Sequence, residues 1–259
     1  MTSSSAYRPV LPQRVHAVVL AAGRGSRLGA LGDATPKWLL PVAGRTLADR
    51  HLDGIARAAQ SVASVRVVVG HAAAAIELEL AGRAEPVGVV ANPEYAELNN
   101  WWSLLRALRE LPDDGPIVLL NADLLVEPEH VANFIEEAAS GHADGVLAVD
   151  LVKSLTDESM KVSLTADDTL QHIGKVDIGD PAGEYIGMLM ARGPVLRRLR
   201  AVLEGFVGRS DATGEWYEGA VGRTAAAGVP WHVWAMAPGA WVEIDDDADL
   251  AVAETLAAA

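Results

Sequence analysis

Short apolar runs alternate with amphipathic stretches through the first half of the chain. The apolar runs have the length of β-strands and are nearly continuous, which is typical of parallel strands covered on both faces. We expect these strands in HAVVLAAG, VRVVVG, VGVVANP and PIVLLNAD. The stretches between and after them predict helices near 46–63, 72–81, 97–111 and 127–140. The alternation predicts an α/β fold with a mostly parallel sheet between layers of helices.

The pattern changes after Gly145. Four strand-like runs follow, GVLAVDLV, MKVSLTADD, TLQHIGKV and EYIGMLMA, two of them joined by an Asp-Asp-Thr turn. Helices are then expected near 193–205 and 215–227, followed by strands in WHVWAMA and WVEID and an Ala-rich last helix. No repeat or linker separates the two halves, so residues 15–259 are predicted to form a single domain. Residues 1–14 predict a disordered leader.

Composition and charge restrict the class of protein. The chain has no cysteine, which excludes disulfides, thiolate zinc sites and a cysteine nucleophile. No apolar run approaches the length of a membrane span, so we expect a cytoplasmic protein without a membrane partner. The net charge is −14, yet residues 1–60 carry +5 and the remainder −19. This distribution is poorly suited to nucleic acid and well suited to one small polyanion.

The positive charge surrounds a glycine-rich loop in VVLAAGRGSRLGALGDATPKWLLPVAGRTL. A Walker loop would close on Lys-Ser or Lys-Thr, but Ser26-Arg27-Leu28 follow the glycines here. A dinucleotide fingerprint needs a helix that begins among the glycines. We expect Gly29, Gly32 and Pro36 to prevent a helix across 28–41. The second strand, VRVVVGHA, also ends without the ribose-binding acid of that fingerprint.

An irregular loop that carries Arg24, Arg27 and Lys37 can instead wrap a triphosphate. Backbone N–H groups, two guanidinium forks and one ammonium group would bind the phosphate oxygens. A purely structural turn is the alternative, because glycine turns after strands are common. The residues alone favour phosphate binding.

The segments LAAGRGSRL and TPKWLLPVAGRTL resemble the signature of nucleotidyltransferases that build nucleoside-diphosphate sugars and alcohols. A more specific resemblance is to the phosphocholine cytidylyltransferase-like branch, which includes phosphonate cytidylyltransferases. The segments that carry it are NPEYAELNNWWSLLRAL, LNADLLV, MKV, IGKV, GEYIGM, EWYEGAV and WVEID. The resemblance extends over nearly the whole chain after Arg14. It implies a Rossmann-like nucleotidyltransferase fold with a mixed, mostly parallel central sheet and a small acceptor-binding β subregion. Residues 15–145 would bind the nucleotide, and 146–259 would bind the acceptor and supply a closing metal-binding strand.

The resemblance implies CTP as the nucleotide, bound by the glycine loop, the start of the NNWWS helix and two strand ends. For the polar residues that begin that helix, capping is an equal alternative. The implied nucleotide-binding residues are Leu20, Ala21, Ala22, Gly23, Gly25, Ser26, Arg27, Lys37, Asn92, Asn99, Asn100, Ser103 and Ala122.

Three carboxylates are candidate metal ligands. Asp123 ends a predicted strand at the sheet edge where open α/β folds bind ligands. Glu243 and Asp245 are two positions apart in WVEID, which places both side chains on one face of a strand. Three carboxylates at one point repel one another unless a hard cation lies among them. Mg²⁺ is such a cation, and it commonly accompanies a triphosphate. Each acid alone is more typical of a cap or a surface charge; the resemblance implies the metal site.

The acceptor site is implied by resemblance at Lys161, Lys175, Glu184, Trp216 and Tyr217. Lysines there would neutralise the approach of an anionic nucleophile to a triphosphate, although most lysines are surface residues. Met160, the first residue of MKV, stands where choline-specific relatives are expected to carry an aromatic residue. This favours a phosphonate over phosphocholine. The aromatic pair in EWYE could still cage a quaternary ammonium, and its two glutamates could receive an amine.

These inferences predict transfer of CMP from CTP to a small phosphonate or phosphomonoester, with release of pyrophosphate. Arg27, Lys37, Lys175 and Mg²⁺ would position the substrates and neutralise their charge. One alternative is a sugar-1-phosphate nucleotidyltransferase that uses UTP or dTTP. Another is a catalytically silent, ligand-sensing subunit on the same fold. A homodimer is an open alternative to a monomer.

Overall fold

The computed structural model describes residues 13–84 and 86–258, so the predicted leader lies outside the described residues except for its last two positions. The strands are β1 (Val15–Ala21), β2 (Pro41–Val42), β3 (Arg45–Thr46), β4 (Val62–Val69), β5 (Val87–Ala91), β6 (Ile117–Asn121), β7 (Leu124–Val126), β8 (Gly145–Asp150), β9 (Lys161–Leu164), β10 (Leu170–Gly174), β11 (Gly183–Ala191), β12 (His232–Ala235) and β13 (Trp241–Glu243).

The helices follow the strands in alternation through the first half and then cluster in the second. They are α1 (Gly29–Ala34), α2 (Leu47–Arg57), α3 (Ala73–Ala81), α4 (Asn100–Arg109), α5 (Pro128–Ser140), α6 (Gly193–Glu204), α7 (Tyr217–Ala226) and α8 (Asp247–Ala257). Short 3₁₀ turns span Ser26–Leu28, Lys37–Leu39, Ala59–Ser61 and Ser210–Ala212. Among the described helices, none combines the length and the apolar character that crossing a membrane requires.

One large mixed sheet organises these elements. Strands β5, β4, β1 and β6 lie side by side in parallel, and β11 continues the sheet antiparallel to β6. Beyond β11 the sheet divides: β9 and β10 extend it on one path, and β8 and β12 on another. Helices α2 and α5 pack on one face, whereas α4, α6 and α7 pack on the other. This arrangement confirms the predicted fold class.

Two predicted elements differ in the structure. The expected helix over 46–63 is too long: α2 ends at Arg57, because the chain must reverse and enter β4 at Val62, which pairs with Val15. The expectation that no helix forms across 28–41 is wrong for α1. Its Gly32 packs against the Gly25 carbonyl so closely that a Cβ would lie 2.4 Å from the oxygen. The glycine therefore allows the short helix to lie against the loop.

A buried histidine connects two segments that approach the sheet edge. His51, on α2, is fully buried. Its Nδ1 accepts a hydrogen bond from the Trp38 indole N–H at 3.2 Å, and its Nε2 lies 2.7 Å from the Leu124 carbonyl oxygen. The first bond fixes Nε2 as the protonated nitrogen, which therefore donates to Leu124. His51 thus holds the residues that directly follow Lys37 and Asp123.

We predict that His51→Leu destabilises the fold in a pH-dependent manner. The variant leaves the Trp38 donor and the Leu124 carbonyl unpaired in the core, which should lower the free energy of unfolding at pH 8 by about 2–4 kcal/mol. Burial lowers the pKa of His51 to about 4, so the unfolded chain binds this proton more readily between pH 4 and 6.5. The native contribution of His51 is therefore complete above pH 6.5 and is lost as the pH falls toward 4.

Urea unfolding at pH 4.5 and pH 8 measures this difference. The stability gap between wild type and variant should be smaller at the lower pH, by up to about 3 kcal/mol. His142→Leu is the control, because the His142 side chain is 74% exposed and lies far from the core. A gap that does not change with pH would contradict the assigned role of His51.

Candidate active site

A cleft of about 300 Å³ opens at the carboxyl ends of β1 and β6. It is bordered by the glycine loop on one side and by the β9–β10 and α7 segments on the other. The residues that line it are Leu20, Ala22, Gly23, Arg27, Lys37, Tyr95, Leu98, Asn99, Asn100, Ser103, Asn121, Asp123, Met160, Lys175, Trp216, Glu218, Glu243 and Asp245.

Three carboxylates meet in this cleft because two strand ends are tied together. Asp123 lies between β6 and β7, and β7 pairs antiparallel with β13, which ends at Glu243. The Ile244 N–H donates to the Asp123 carbonyl oxygen at 2.9 Å, while the Ile244 side chain is buried on the opposite face. As a result, one carboxylate oxygen from each of Asp123, Glu243 and Asp245 lies within 4.8 Å of the others.

Two cations compensate part of this negative charge. Lys37 Nζ lies 2.5 Å from Asp245 Oδ1 and 3.5 Å from Asp123 Oδ2, and Arg27 donates to Asp245 Oδ2 at 2.6 Å. Burial opposes the charge on Lys37, but Asp123 and Asp245 outweigh it and raise its pKa above the ordinary value. Lys37 therefore remains protonated at neutral pH.

Lys37 and Arg27 do not compensate all of the negative charge of the three carboxylates. Desolvation inside the cleft and the charges of Asp123 and Asp245 raise the pKa of Glu243 to about 8, although the side chain remains accessible to solvent at the cleft mouth. The Oδ1 atom of Asp123 is buried and accepts no hydrogen bond. Three converging carboxylates with an unpaired buried oxygen are the donor set that a hard divalent cation prefers. The residues present therefore fit such a metal.

The glycine loop brings Lys37 against Gly25. Gly25 has a φ of 63°, a left-handed conformation that favours glycine, and its carbonyl oxygen accepts from the Leu28 N–H at 3.0 Å. A Cβ at this position would lie 2.9 Å from Lys37 Cγ. The loop thus requires glycine twice, for its backbone conformation and for the close passage of the lysine stem.

A second group of charges lies across the cleft. Lys175 Nζ donates to Glu158 at 2.9 Å, and the same Glu158 oxygen is 3.8 Å from an Arg27 nitrogen. The Lys175 ammonium also lies over the Trp216 ring, 5.1 Å from its centroid. Lys161 does not line the cleft; its ammonium donates to the Lys175 carbonyl oxygen at 2.7 Å and so anchors that segment.

A buried polar network supports the base of the cleft. Tyr217 is fully buried, and its hydroxyl donates to Asn121 Oδ1 at 3.0 Å and lies 3.0 Å from the Tyr185 hydroxyl. Asn100 accepts from the Tyr217 backbone N–H at 2.9 Å and donates to Glu218 at 3.3 Å. The Glu218 side chain lines the cleft although the residue is only 6% exposed, and its burial raises its pKa to about 7.

Most residues named from the sequence line this one cleft, but several do not. Tyr217 lies beneath it, and the buried Asn92 donates a hydrogen bond of 2.9 Å to Ser103, which lines it. Glu184 is buried and forms an ion pair of 3.1 Å with Lys153. The named residues that do not line the cleft are Ala21, Gly25, Ser26, Asn92, Ala122, Lys161, Glu184 and Tyr217.

Five further lining residues were not among the site residues named from the sequence. They are Tyr95, Leu98, Asn121, Met160 and Glu218. Asn121 had a usable signal, since it is the polar residue that ends the apolar strand β6. The sequence signal for Glu218 was weaker. Its place in EWYE suggests that a glutamate there binds an amine, but it does not indicate which of the two glutamates faces the cleft.

Comparison with known proteins identifies the class. The family model of the MobA-like NTP transferase domain matches residues 17–207. The chain belongs to this family, which confirms the nucleotidyltransferase resemblance of its glycine loop.

Two curated relatives carry phosphonate names. The CMP-5'-(3-aminopropyl)phosphonate synthase of Streptomyces rubellomurinus is 35% identical over 251 residues, which cover 91% of this chain and 37% of the relative. The 2-aminoethylphosphonate cytidylyltransferase of Lancefieldella rimae is 32% identical over 119 residues, covering 46% of this chain and 47% of the relative. The matched segments therefore cover less than half the length of either relative.

A solved structure supports the fold. The CTP:phosphocholine cytidylyltransferase of Streptococcus pneumoniae superposes with a TM-score of 0.74, covering 94% of this chain and 99% of that one. Sequence identity is 20%, so the similarity concerns the arrangement of strands and helices.

We predict that Asp123→Asn weakens divalent-cation binding at least about tenfold, because it removes one of the converging carboxylates and its charge. Calorimetric titration with Mn²⁺ as the probe measures the affinity. Asp167→Asn, in the exposed turn after β9, is the matched control and should bind like wild type. Equal affinities for the Asp123 variant and the control would exclude Asp123 as a ligand.

Proposed function

We propose that the protein is a CTP-dependent cytidylyltransferase that transfers CMP to a small phosphonate and releases pyrophosphate. The observation that carries this proposal is the convergence of Asp123, Glu243 and Asp245 with Arg27 and Lys37 in one cleft, facing Lys175 across it. A triphosphate and an anionic acceptor both need cations, and this cleft supplies them from two opposite sides.

The proposed reaction is an in-line displacement at phosphorus. A phosphonate oxygen of the acceptor attacks the α-phosphorus of CTP and forms a new P–O–P bond. The bond from the α-phosphorus to the bridging oxygen breaks, and pyrophosphate leaves with that electron pair. The nucleophile is an anion at neutral pH, so no general base is required, and positioning and charge neutralisation carry the catalysis.

Each group of the cleft has a role in this scheme. Lys37 and Arg27 exchange their carboxylate partners for the β- and γ-phosphate oxygens. Asp123, Asp245 and Glu243 would hold Mg²⁺, which supplies Lewis-acid neutralisation of the triphosphate when bound. Lys175, on the opposite side, attracts the acceptor's phosphonate.

Two observations favour a phosphonate over phosphocholine. The relatives named above act, by their names, on aminoalkylphosphonates. An aromatic cage for choline would need several ring faces, yet Tyr217 is buried beneath the cleft and Met160 lines it in place of an aromatic residue. Trp216 offers one face, and the Lys175 ammonium already lies over it.

Pyrophosphate release over a matrix of substrates tests the proposal. The matrix pairs CTP, UTP, dTTP and ATP with small phosphonates, phosphocholine and sugar 1-phosphates. We expect CTP with a phosphonate to give the highest kcat/KM. Highest activity with UTP or dTTP and a sugar 1-phosphate would replace the proposal with that transfer, and no release in any pair would favour a catalytically silent subunit.

We predict that Lys37→Ala slows the reaction about 10²-fold or more with every acceptor, because the triphosphate is common to all of them. Initial rates with two chemically different acceptors measure this. Lys153→Ala, which breaks an ion pair outside the cleft, is the control and should retain most activity. A loss confined to one acceptor would assign Lys37 to the acceptor site instead.

A further inference from the structure

A second cavity of about 450 Å³ adjoins the cleft. Met160, Trp216 and Glu218 line both spaces, so the cavity continues the cleft past the Trp216 ring. We refer to it as the side cavity. Its remaining lining residues are Ile173, Gly174, Asp211, Gly214, Glu215 and Gly219. Three of its lining residues are glycines, which leaves room for an extended ligand chain.

The acidic residues around the side cavity differ in how they are compensated. Glu215 forms an ion pair with Arg223, and Asp211 is bonded to Arg209. Glu218 is buried, and its side-chain partners are the neutral Asn100 amide and the neutral Tyr217 hydroxyl. Within residues 13–84 and 86–258, no Lys, Arg or His forms an ion pair with it. Glu218 is therefore a buried carboxylate that faces a ligand-sized space without a cation.

At the opposite end of the space proposed for the acceptor, a carboxylate pairs with two cations. The exposed Glu158 carboxylate lies between Lys175 and Arg27, at 2.9 and 3.8 Å. A phosphonate carries more charge than a carboxylate and would displace Glu158 from Lys175, while Arg27 serves the triphosphate. An acceptor bound here has its anionic end at Lys175, and its remainder extends past Trp216 toward Glu218.

Building on the proposed function, we propose that the side cavity is a subsite for the far end of an ω-aminoalkyl phosphonate, whose ammonium group pairs with Glu218. The ammonium supplies the cation that this buried carboxylate lacks, and it can donate to the carboxylate and contact the edge of the cavity at Trp216. The volume of the side cavity then admits chains that separate amine and phosphonate by several bonds. An acceptor without an amine leaves the buried carboxylate unpaired.

The test compares acceptors that differ only in the amine. They are 2-aminoethylphosphonate with ethylphosphonate and 3-aminopropylphosphonate with propylphosphonate, each assayed with CTP. In wild type, kcat/KM for the amine-bearing acceptor should exceed that of its partner at least about tenfold. Glu218→Gln keeps the shape and the hydrogen bond to Asn100 but removes the charge, so this ratio should fall about tenfold, chiefly through KM.

Glu215→Gln is the matched control, since that carboxylate faces the same cavity but already has Arg223 as its partner. In Glu215→Gln the ratio of kcat/KM with and without the amine should stay within about threefold of wild type, because the charge it removes was already paired with Arg223. Equal losses for both acceptor types in Glu218→Gln would indicate that Glu218 only supports Asn100 and Tyr217, and would overturn the subsite.

A second variant tests the cavity itself. A Cβ at Gly214 would meet no atom within 4 Å, so Gly214→Leu fills the side cavity without backbone strain. It should reduce kcat/KM for 3-aminopropylphosphonate more than for ethylphosphonate. Gly179→Leu, at another open glycine outside both cavities, is the control. An equal effect on long and short acceptors would contradict the assignment of the cavity.

Calorimetric binding of the same four phosphonates separates this proposal from the proposed function. Amine-dependent binding that Glu218→Gln abolishes, without pyrophosphate release, would contradict the function and support the subsite. Turnover of all four with equal kcat/KM would support the function and overturn the subsite.

Discussion

The repulsion among three carboxylates is the constraint on which the cleft depends. Asp123 and Asp245 are brought together by the pairing of β7 with β13, and the backbone bond from Ile244 to Asp123 prevents them from separating. Such a cluster persists only where cations lie close to it. Lys37 supplies the nearest one, and its passage over Gly25 explains why the loop must be glycine there. His51 holds the segments behind Lys37 and Asp123, so the opposing charges stay in contact.

The positive groups that face the cleft are held by carboxylates in this structure. Lys37 and Arg27 share Asp245, and Arg27 and Lys175 share Glu158. This pairing explains how a protein with a net charge of −14 can keep a strongly cationic set of side chains at one site. Phosphate oxygens can take the places of these carboxylates, because each exchange replaces one charge-assisted bond with another. The acidic surroundings therefore preorganise the cations for anionic substrates.

The sequence predicted the fold class, and it named most of the charged residues that line the cleft, although not Glu218, because strand ends and a specific loop motif indicate them. It predicted less well which neighbour in a motif faces the ligand. Trp216 lines the cleft and Tyr217 is buried, because the Tyr217 hydroxyl bonds to Asn121 and lies against Tyr185 of β11. Lys161 and Lys175 look equivalent in the sequence, yet of the two only Lys175 lines the cleft. The Lys161 ammonium instead donates to the backbone carbonyl of Lys175. Which residue of a motif faces the cleft depends on tertiary contacts, and a local sequence pattern does not determine these contacts.

Asn121 lies where the parallel and antiparallel parts of the sheet meet, at the base of the cleft. In β11 the pairing with β8 shifts between Tyr185 and Leu189, and Gly187 there has a φ of 86°. A Cβ at Gly187 would lie 2.8 Å from the Asn121 amide nitrogen, so the irregular strand leaves room for this side chain, which Tyr217 then fixes. The side cavity is lined by residues of α7 and β10 and of the segments that precede β9 and α7, whereas the carboxylates and Lys37 belong to other elements. In the proposed function, residues around the side cavity vary to suit different acceptors while the residues that serve the triphosphate stay the same.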